Sequence, residues 1–173
     1  VVIMAGGKGT RLKPFSQILP KPLIPINEKT LIEHIIDKFR ESGMSKFYFT
    51  INYKSKIIKS FFSELDKDYK VTFVQEQKEL GTAGGLSKLI KQIKKPFFIS
   101  NCDTIINEDY QKIYDFHKKE KNHLTLVAAM KRYVIPFGIC EVDNIGQIKL
   151  IKEKPSNDYL INTGMYVLNP ELL

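Results

Sequence analysis

Hydrophobic residues fall into short apolar runs that are separated by amphipathic stretches. A continuous apolar run bounded by turn residues is typical of a strand buried on both faces of a sheet. Five such runs predict strands over Val1–Met4, Lys46–Ile51, Tyr69–Gln75, Pro96–Asn101 and Leu124–Lys131. After Lys131 shorter runs predict strands over Ile139–Val142, Ile148–Lys152 and Ile161–Leu168, which indicate a small β-rich addition.

Between the early strands, apolar residues recur every three or four positions, as on one face of an α-helix. The three stripes are Leu31, Ile32, Ile35, Ile36 and Phe39; Ile57, Ile58, Phe61, Phe62 and Leu65; and Ala83, Leu86, Leu89, Ile90 and Ile93. A weaker helical pattern spans Asp109 to Lys121. The alternation predicts an α/β fold in three layers, with a mostly parallel central sheet between helices. Ligands of such sheets bind beyond the carboxyl ends of the strands.

Composition narrows the class of protein without identifying it. The chain has 173 residues, of which 43% are hydrophobic, and a formal net charge of +8. Most of the positive charge is lysine spread along the chain, so we expect a solvated lysine surface and no nucleic-acid partner. No apolar run approaches the roughly 20 residues of a membrane-spanning helix, so we expect no membrane partner.

The cysteine content gives a weak indication of the cellular compartment. Cys102 and Cys140 are too few for a disulfide framework and lack metal-ligand spacing, so both are predicted to be small buried residues. Together with the lack of a visible signal peptide, the low cysteine content favours a cytoplasmic location for the protein. Val1 is not a natural start, however, so we expect residues to be missing before it.

The strongest chemical signal follows the first predicted strand. Residues 5–12 read Ala-Gly-Gly-Lys-Gly-Thr-Arg-Leu, and residues 19–23 read Leu-Pro-Lys-Pro-Leu. Glycines let the backbone approach a ligand closely, and successive N–H groups then form an anion site. The planar guanidinium of Arg11 fits two phosphate oxygens, and flanking prolines hold Lys21 on a stiff segment. The pattern therefore predicts a polyphosphate site.

Two common phosphate loops do not fit this segment. Walker A requires Ser or Thr after its lysine, but Lys8 is followed by Gly9. The dinucleotide fingerprint requires a third glycine where Leu12 stands.

The loop and the Pro-Lys-Pro segment resemble the signature of the sugar-1-phosphate nucleotidyltransferases, or sugar-nucleotide pyrophosphorylases. Five further matches follow in the family's order, so the resemblance covers nearly the whole chain. They are residues 80–84 (Leu-Gly-Thr-Ala-Gly), 101–103 (Asn-Cys-Asp), 137–138 (Phe-Gly), 153–155 (Glu-Lys-Pro) and 162–164 (Asn-Thr-Gly). The fold that this resemblance implies is the Rossmann-like sandwich of the nucleotide-diphospho-sugar transferases.

The resemblance also implies a Mg²⁺-dependent reaction between a nucleoside triphosphate and a sugar 1-phosphate. In it, Arg11 holds the triphosphate and the departing pyrophosphate, Lys21 neutralises the α-phosphate, and Asp103 is the metal ligand. The implied nucleotide-binding residues are Ala5, Gly6, Gly7, Gly9, Thr10, Arg11, Gln75, Glu76, Gly81 and Thr82. Helix capping explains Thr82 equally well.

The acceptor half follows from the same resemblance. Glu153 is expected to bind sugar hydroxyls and Lys154 the sugar phosphate, while Gly138 and Asn162 complete the pocket. In this interpretation one domain consists of a nucleotide-binding part, residues 1–131, and a partial sugar-binding part, residues 132–173. The family's second metal-binding Asp has no counterpart here. We therefore expect a C-terminally incomplete fragment, and any homo-oligomer is expected to form through missing regions.

The identity of the substrates is less constrained. Residues 16–22 (Ser-Gln-Ile-Leu-Pro-Lys-Pro), together with residues 101–103, look most like the branch often linked to CBS domains. That branch includes glucosamine-1-phosphate guanylyltransferases of surface-sugar synthesis, which suggests GTP and an amino-sugar 1-phosphate.

Two other functions stay open at this point. One is a non-catalytic, nucleotide-binding regulatory module of the same fold. Such a relative would be expected to have lost Arg11, Lys21 or Asp103, and all three are present. The other, more remote, alternative is a nicotinamide-dependent oxidoreductase.

Overall fold

The structure, a computed structural model, describes residues 1–75, 84–89 and 92–172. Within these residues the α-helices are α1 (Phe15–Ile18), α2 (Leu31–Glu41), α3 (Ser55–Glu64) and α4 (Tyr110–Lys119). The strands are β1 (Val2–Met4), β2 (Pro25–Ile26), β3 (Lys29–Thr30), β4 (Lys46–Ile51), β5 (Lys70–Gln75), β6 (Phe97–Asn101), β7 (Leu124–Val134), β8 (Ile139–Val142), β9 (Ile148–Lys152) and β10 (Ser156–Leu168). Short 3₁₀ helices span Thr10–Leu12, Lys21–Leu23, Gly84–Leu89 and Pro170–Leu172.

The central sheet has six strands in the order β5-β4-β1-β6-β10-β7. Strands β5, β4, β1 and β6 run parallel to one another, whereas β10 is antiparallel to β6. Strand β1 is central, with Ile3 opposite Phe49 on one side and Ser100 on the other. The mostly parallel α/β sheet is therefore confirmed. Its parallel direction brings the carboxyl ends of β1, β4 and β6 to one edge.

Aromatic side chains attach three helices to one face of the sheet. Phe39 of α2 lies 5.4 Å from Phe98 of β6, measured between ring centroids. Phe62 of α3 lies 5.0 Å from Phe49 of β4, and Tyr110 of α4 lies 6.0 Å from Phe98. Aromatic rings bury large apolar areas and pack in specific geometries. These contacts fix the helices, and the loops that lead into them, against the sheet.

On the opposite face of the sheet, the structure differs from the predicted α-helix that begins at Ala83. That face carries a second buried cluster, consisting of Val2, Val74, Leu86, Leu89, Ile93, Phe97, Ile99 and Leu168. An α-helix was predicted from the stripe that begins at Ala83, but Gly84–Leu89 is a 3₁₀ helix, so that prediction is wrong for these residues. Two adjacent glycines disfavour an α-helix. Leu86 and Leu89 are three residues apart, so a 3₁₀ helix places both on one side. Ala83 and Ile90 lie outside the described residues.

The start of α2 is fixed by a capping box, and its end is followed by a glycine. The side chain of Glu33 accepts a hydrogen bond from the N–H of Thr30 at 2.8 Å, and the hydroxyl of Thr30 accepts one from the N–H of Glu33 at 3.4 Å. Gly43, at φ +79°, follows the last turn. The predicted helix is confirmed, and its apolar stripe is buried.

The chain divides into two compact units. Unit 1 consists of Val1–Leu126 and Gly164–Leu173, and unit 2 consists of Val127–Thr163. Unit 2 contains the antiparallel pair β8–β9 and an ion pair in which Arg132 donates two hydrogen bonds to Asp158, at 2.8 and 2.9 Å. The strands predicted over Ile139–Val142 and Ile148–Lys152 are confirmed, whereas the last residues of β10, from Gly164, belong to unit 1. Among the described residues no helix has the length and apolar character needed to cross a membrane.

Candidate active site

A glycine-rich loop follows β1 at the carboxyl edge of the sheet. Its first two residues continue the alignment with β4. The N–H of Ala5 donates to the carbonyl of Thr50 at 2.9 Å, and the carbonyl of Gly6 accepts from the N–H of Tyr53 at 3.4 Å. Gly9 adopts a φ of +62°, a conformation that costs glycine little. The loop therefore lies at the edge where ligands of parallel α/β sheets bind.

Gly9 also provides the space into which Lys21 packs. A Cβ atom built on Gly9 would lie 3.1 Å from the Cβ of Lys21 and 3.4 Å from the Cβ of Ser16. Ser16 is buried, so it has little room to move away. Because position 9 has no side chain, the segment that carries Lys21 lies directly against the loop.

Lys21 is held at the start of a short 3₁₀ helix. The N–H of Leu23 donates to the carbonyl of Pro20 at 2.9 Å, and the side chains of Pro22 and Leu23 are buried. Pro20 is extended, with φ −63° and ψ 143°. The backbone on both sides of Lys21 is therefore anchored, while the lysine side chain remains 23% exposed.

Asp103 follows β6 at the same edge of the sheet and meets Lys21. The ammonium group of Lys21 donates a hydrogen bond to the carboxylate oxygen Oδ2 of Asp103. The Asp103 side chain is 38% exposed. An ion pair at this level of exposure contributes about 1 kcal/mol or less to stability, because water screens it. A ligand could therefore break this ion pair at a small cost in free energy and become the new partner of either group.

Cys102, which precedes Asp103 in the chain, is buried. Its side chain is 6% exposed, and burial raises the pKa of its thiol to about 12. The thiol is therefore neutral at physiological pH and behaves as a small apolar group, as predicted. The prediction was wrong for Cys140, which is exposed on β8. Strand β8 belongs to a two-stranded sheet, in which little covers its side chains.

The single carboxylate of Asp103 suits a magnesium ion better than a metal that is held by protein ligands alone. Among residues 1–75, 84–89 and 92–172, no three or more His, Cys, Asp or Glu side chains cluster as a metal site. Mg²⁺ commonly uses one or two carboxylates and takes its other oxygens from substrate phosphates and water. One exposed carboxylate at the ligand-binding edge meets that requirement.

Arg11 lies in the 3₁₀ turn that continues the loop. The N–H of Leu12 donates to the carbonyl of Gly9 at 2.9 Å and closes this turn. The side chains of Thr10 and Arg11 are exposed. Across the described part of the chain, no carboxylate forms an ion pair with Arg11. Its guanidinium donors therefore remain available to a phosphate.

Strand β10 reaches the same edge through Gly164. Gly164 is buried at φ +78°, and a Cβ atom built on it would lie 2.1 Å from the side-chain nitrogen of Asn101. A side chain at position 164 would therefore require the side chain of Asn101 to move. Gly164 and Asn101, which belong to two of the motifs that resemble the family, are therefore in direct contact.

Gln75, predicted to contact the nucleobase, lies at the end of β5 with its amide engaged. Its oxygen Oε1 accepts a hydrogen bond from Lys59 at 2.8 Å, and its nitrogen Nε2 donates one to the hydroxyl of Ser55 at 3.0 Å. Its backbone carbonyl accepts one from Lys88 at 2.6 Å. The other predicted base contacts, Glu76, Gly81 and Thr82, lie outside the described residues.

The predicted sugar-binding residues belong to unit 2. A Cβ atom built on Gly138 would lie 2.9 Å from Oε2 of Glu153, so these two residues are brought together. Lys154 has a φ of +41°, and Pro155, which follows it, is buried. Asn162 is exposed on β10. Within unit 2, Gly138 and Glu153 therefore form one local group.

Sequence reasoning missed two residues that contact the segment before Lys21. They are Tyr53 and Lys54, which follow β4. The hydroxyl of Tyr53 donates to the carbonyl of Ser16 at 3.4 Å, and the ammonium of Lys54 donates to the carbonyls of Gln17 and Ile18 at 2.5 and 2.8 Å. Their position directly after a buried parallel strand was the available signal.

Comparison with known proteins places this geometry in a family. The model of the nucleotidyl transferase family matches residues 1–173. Mannose-1-phosphate guanyltransferase 2 of Candida glabrata is 33% identical over 182 residues, which cover 99% of this chain and 50% of that protein. The mannose-1-phosphate guanyltransferase of Saccharomyces cerevisiae is 32% identical, with the same coverage of each chain. The chain thus spans about half the length of these curated relatives.

A solved structure agrees with these similarities. HddC from Yersinia pseudotuberculosis, crystallised with GMP-PN, superposes with a TM-score of 0.76 at 28% identity. The match covers 99% of this chain and 76% of that one.

Proposed function

Because the chain belongs to the nucleotidyl transferase family, we propose that the protein transfers a nucleotidyl group from a nucleoside triphosphate to a sugar 1-phosphate. A phosphate oxygen of the sugar 1-phosphate attacks the α-phosphorus. The bond from that phosphorus to the oxygen bridging to the β-phosphate breaks, and pyrophosphate leaves. The products are a nucleoside diphosphate sugar and pyrophosphate, and no covalent enzyme intermediate is needed.

The observation that carries the proposal is the meeting of Lys21 and Asp103 beside the glycine-rich loop. Phosphoryl-type transfer depends on positioning and on charge stabilisation, which preorganised groups supply. Lys21 sits on an anchored backbone, so its ammonium can neutralise charge at the α-phosphate with little reorganisation. In the ligand-free protein, Asp103 balances that charge.

The remaining roles follow from position. Arg11 and the backbone N–H groups of the loop hold the triphosphate and then the leaving pyrophosphate. Asp103 would hold Mg²⁺, which when bound neutralises charge on the phosphate oxygens. Gly138, Glu153, Lys154 and Asn162 are proposed to bind the sugar 1-phosphate. Glu76, Gly81 and Thr82, with Gln75, remain predicted contacts of the nucleobase.

For the nucleotide, we propose GTP. Two relatives are named guanyltransferases, and a structural neighbour was crystallised with GMP-PN. For the sugar, the relatives' names favour mannose 1-phosphate, whereas the sequence at 16–22 favours an amino-sugar 1-phosphate. Three further predictions rest on the sequence alone: a link to CBS domains, a role in surface-sugar synthesis and a cytoplasmic location.

A substrate panel tests the proposal. The full-length protein is given Mg²⁺ and each of ATP, CTP, GTP, UTP and dTTP, first alone in a thermal-shift measurement. A ligand at 100 times its Kd stabilises the folded state by about 2.7 kcal/mol, which raises the melting temperature measurably. Pyrophosphate release is then measured with mannose 1-phosphate and with glucosamine 1-phosphate.

We expect GTP to raise the melting temperature most and to support pyrophosphate release with one of the two sugars. Stabilisation by a nucleotide without pyrophosphate release from any pair would instead support the non-catalytic module. If no triphosphate stabilises the protein, the proposal is wrong.

A further inference from the structure

Lys54 occupies an unusual backbone conformation between β4 and α3. Its φ is +51° and its ψ is 34°, in the left-handed region. That region costs a residue with a side chain roughly 1 kcal/mol or more, and it persists where the surroundings hold it. The conformation comes directly after the carboxyl edge of the sheet, beside the glycine-rich loop.

The side chain of Lys54 reaches the end of α1. Its ammonium donates to the carbonyls of Gln17 and Ile18, at 2.5 and 2.8 Å. Carbonyls in the last turn of a helix have no partner within the helix, so a cation there satisfies them. The hydroxyl of Tyr53 donates to the preceding carbonyl, of Ser16, at 3.4 Å. Two consecutive residues after β4 thus hold three consecutive carbonyls.

The held segment leads to Lys21 over a short path. Only Leu19 and Pro20 separate Ile18 from Lys21, and Pro20 has a ring-restricted φ. Ser16 and Lys21 both lie against Gly9, as the built Cβ atom at 3.4 and 3.1 Å indicates. A shift of the carbonyls at 16–18 would therefore move the Lys21 backbone relative to the loop.

We propose that Lys54 is a positioning residue for the transfer reaction: by holding the carbonyls of Gln17 and Ile18, it places the Lys21 ammonium for the α-phosphate. This inference rests on the proposed function of Lys21. Lys54 itself touches no reacting atom in this proposal.

The contacts of Lys54 favour positioning over a general stabilising role. Its side chain is partly exposed and, within the described ranges, has no carboxylate partner. Both hydrogen bonds lie where water can replace the ammonium, so their loss leaves no buried carbonyl unsatisfied and costs the fold only modestly. A displacement of about 1 Å at a reacting group, by contrast, lowers turnover about a hundredfold. Loss of Lys54 should therefore affect kcat far more than folding.

The test uses Lys54→Met in the full-length protein, with Lys56→Met as the matched control. Lys56 is an exposed lysine two residues further along, with no polar partner among the described residues. We expect Lys54→Met to lower kcat about tenfold or more, with the Kd for GTP changed less than about threefold. Lys54→Arg, which can donate to both carbonyls, should restore most of the loss. Lys56→Met should match the wild type.

A double-mutant cycle separates positioning from any other role. If Lys54 acts through Lys21, Lys54→Met should change kcat less than about twofold when Lys21→Ala is already present. An equal loss in both backgrounds, or wild-type kcat in Lys54→Met alone, would overturn the inference.

Hydrogen exchange of a peptide covering residues 15–23 gives a readout that does not depend on turnover. It should become faster in Lys54→Met and stay unchanged in Lys56→Met; unchanged exchange in both would overturn the inference. If the wild type releases no pyrophosphate but exchange responds as expected, the proposed function fails while the contact holds.

Discussion

The ammonium of Lys21 donates a hydrogen bond to the carboxylate of Asp103, although the two residues lie 82 positions apart in the chain. The two segments meet because β1 and β6 are parallel neighbours whose carboxyl ends share one edge. Under the proposed function, each group would exchange this partner when substrate binds, the lysine for a phosphate and the aspartate for a metal.

This pairing predicts that Lys21 competes with a divalent cation for Asp103. In Lys21→Met the carboxylate loses its ammonium partner, so Mn²⁺ should bind more tightly in the absence of nucleotide. An exposed ion pair of about 0.2–1 kcal/mol corresponds to an increase of roughly 1.4- to fivefold. Titration of Mn²⁺ followed by electron paramagnetic resonance measures it. Lys13→Met, at an exposed lysine, controls for the lost charge, and equal affinities in both variants would contradict the prediction.

Gly9→Ala should weaken both the fold and the placement of Lys21. The new Cβ atom would meet the Cβ of Lys21 at 3.1 Å, and alanine is strained at φ +62°. We expect a loss of about 1–2 kcal/mol in the free energy of unfolding. Urea denaturation without ligand measures it. Gly7→Ala, in the same loop but with open space around the built Cβ atom, should lose less than about 1 kcal/mol. Equal losses at the two positions would refute this steric account.

Gly164→Ala should destabilise the protein more than backbone strain alone explains. Its added Cβ atom would lie 2.1 Å from the side-chain nitrogen of Asn101. Gly43→Ala is the matched control, because Gly43 has nearly the same φ, +79°, and nothing within 4 Å of its built Cβ. We expect the control to lose about 1 kcal/mol and Gly164→Ala about 2 kcal/mol more. The added substitution Asn101→Ala should recover part of that difference, and no recovery would argue against the contact.

Cys102 predicts a specific loss of stability in alkali. Burial raises the pKa of its thiol from 9.0 to about 12. Between these values the unfolded chain releases a proton that the folded chain keeps. The free energy of unfolding therefore falls as pH rises, by up to about 1.4 kcal/mol per pH unit. Urea denaturation at pH 8, 9.5 and 10.5 should give a flatter slope for Cys102→Ala than for wild type, with Cys140→Ala as the control. Parallel slopes in all three proteins would contradict this.

Much of the fold follows from the sequence because the central strands are buried on both faces. The apolar runs predicted the ends of β4 as the structure has them, and those of β1 and β6 to within one residue. The 3₁₀ helix at Gly84–Leu89 was mistaken for an α-helix. The three-residue spacing of Leu86 and Leu89 suits both periods, so the pattern could not distinguish them.

The candidate site could be predicted only in part. Motifs singled out Lys21 and Asp103 separately, but their contact depends on which strands are neighbours, which local patterns do not encode. Lys54 was not identified because its partners are backbone carbonyls. Every residue has such a carbonyl, so no residue type in the sequence indicates the contact. Cys140 was predicted to be buried from residue type alone, whereas exposure depends on what packs against β8.

The central claim is that Lys21 stabilises charge at the α-phosphate, and the most direct test is kcat for pyrophosphate release in Lys21→Ala of the full-length protein. Removal of one preorganised charged group should lower kcat by about 10²–10³. The Kd for GTP should change less than about threefold, and Lys13→Ala should match the wild type. Wild-type turnover in Lys21→Ala would contradict the account.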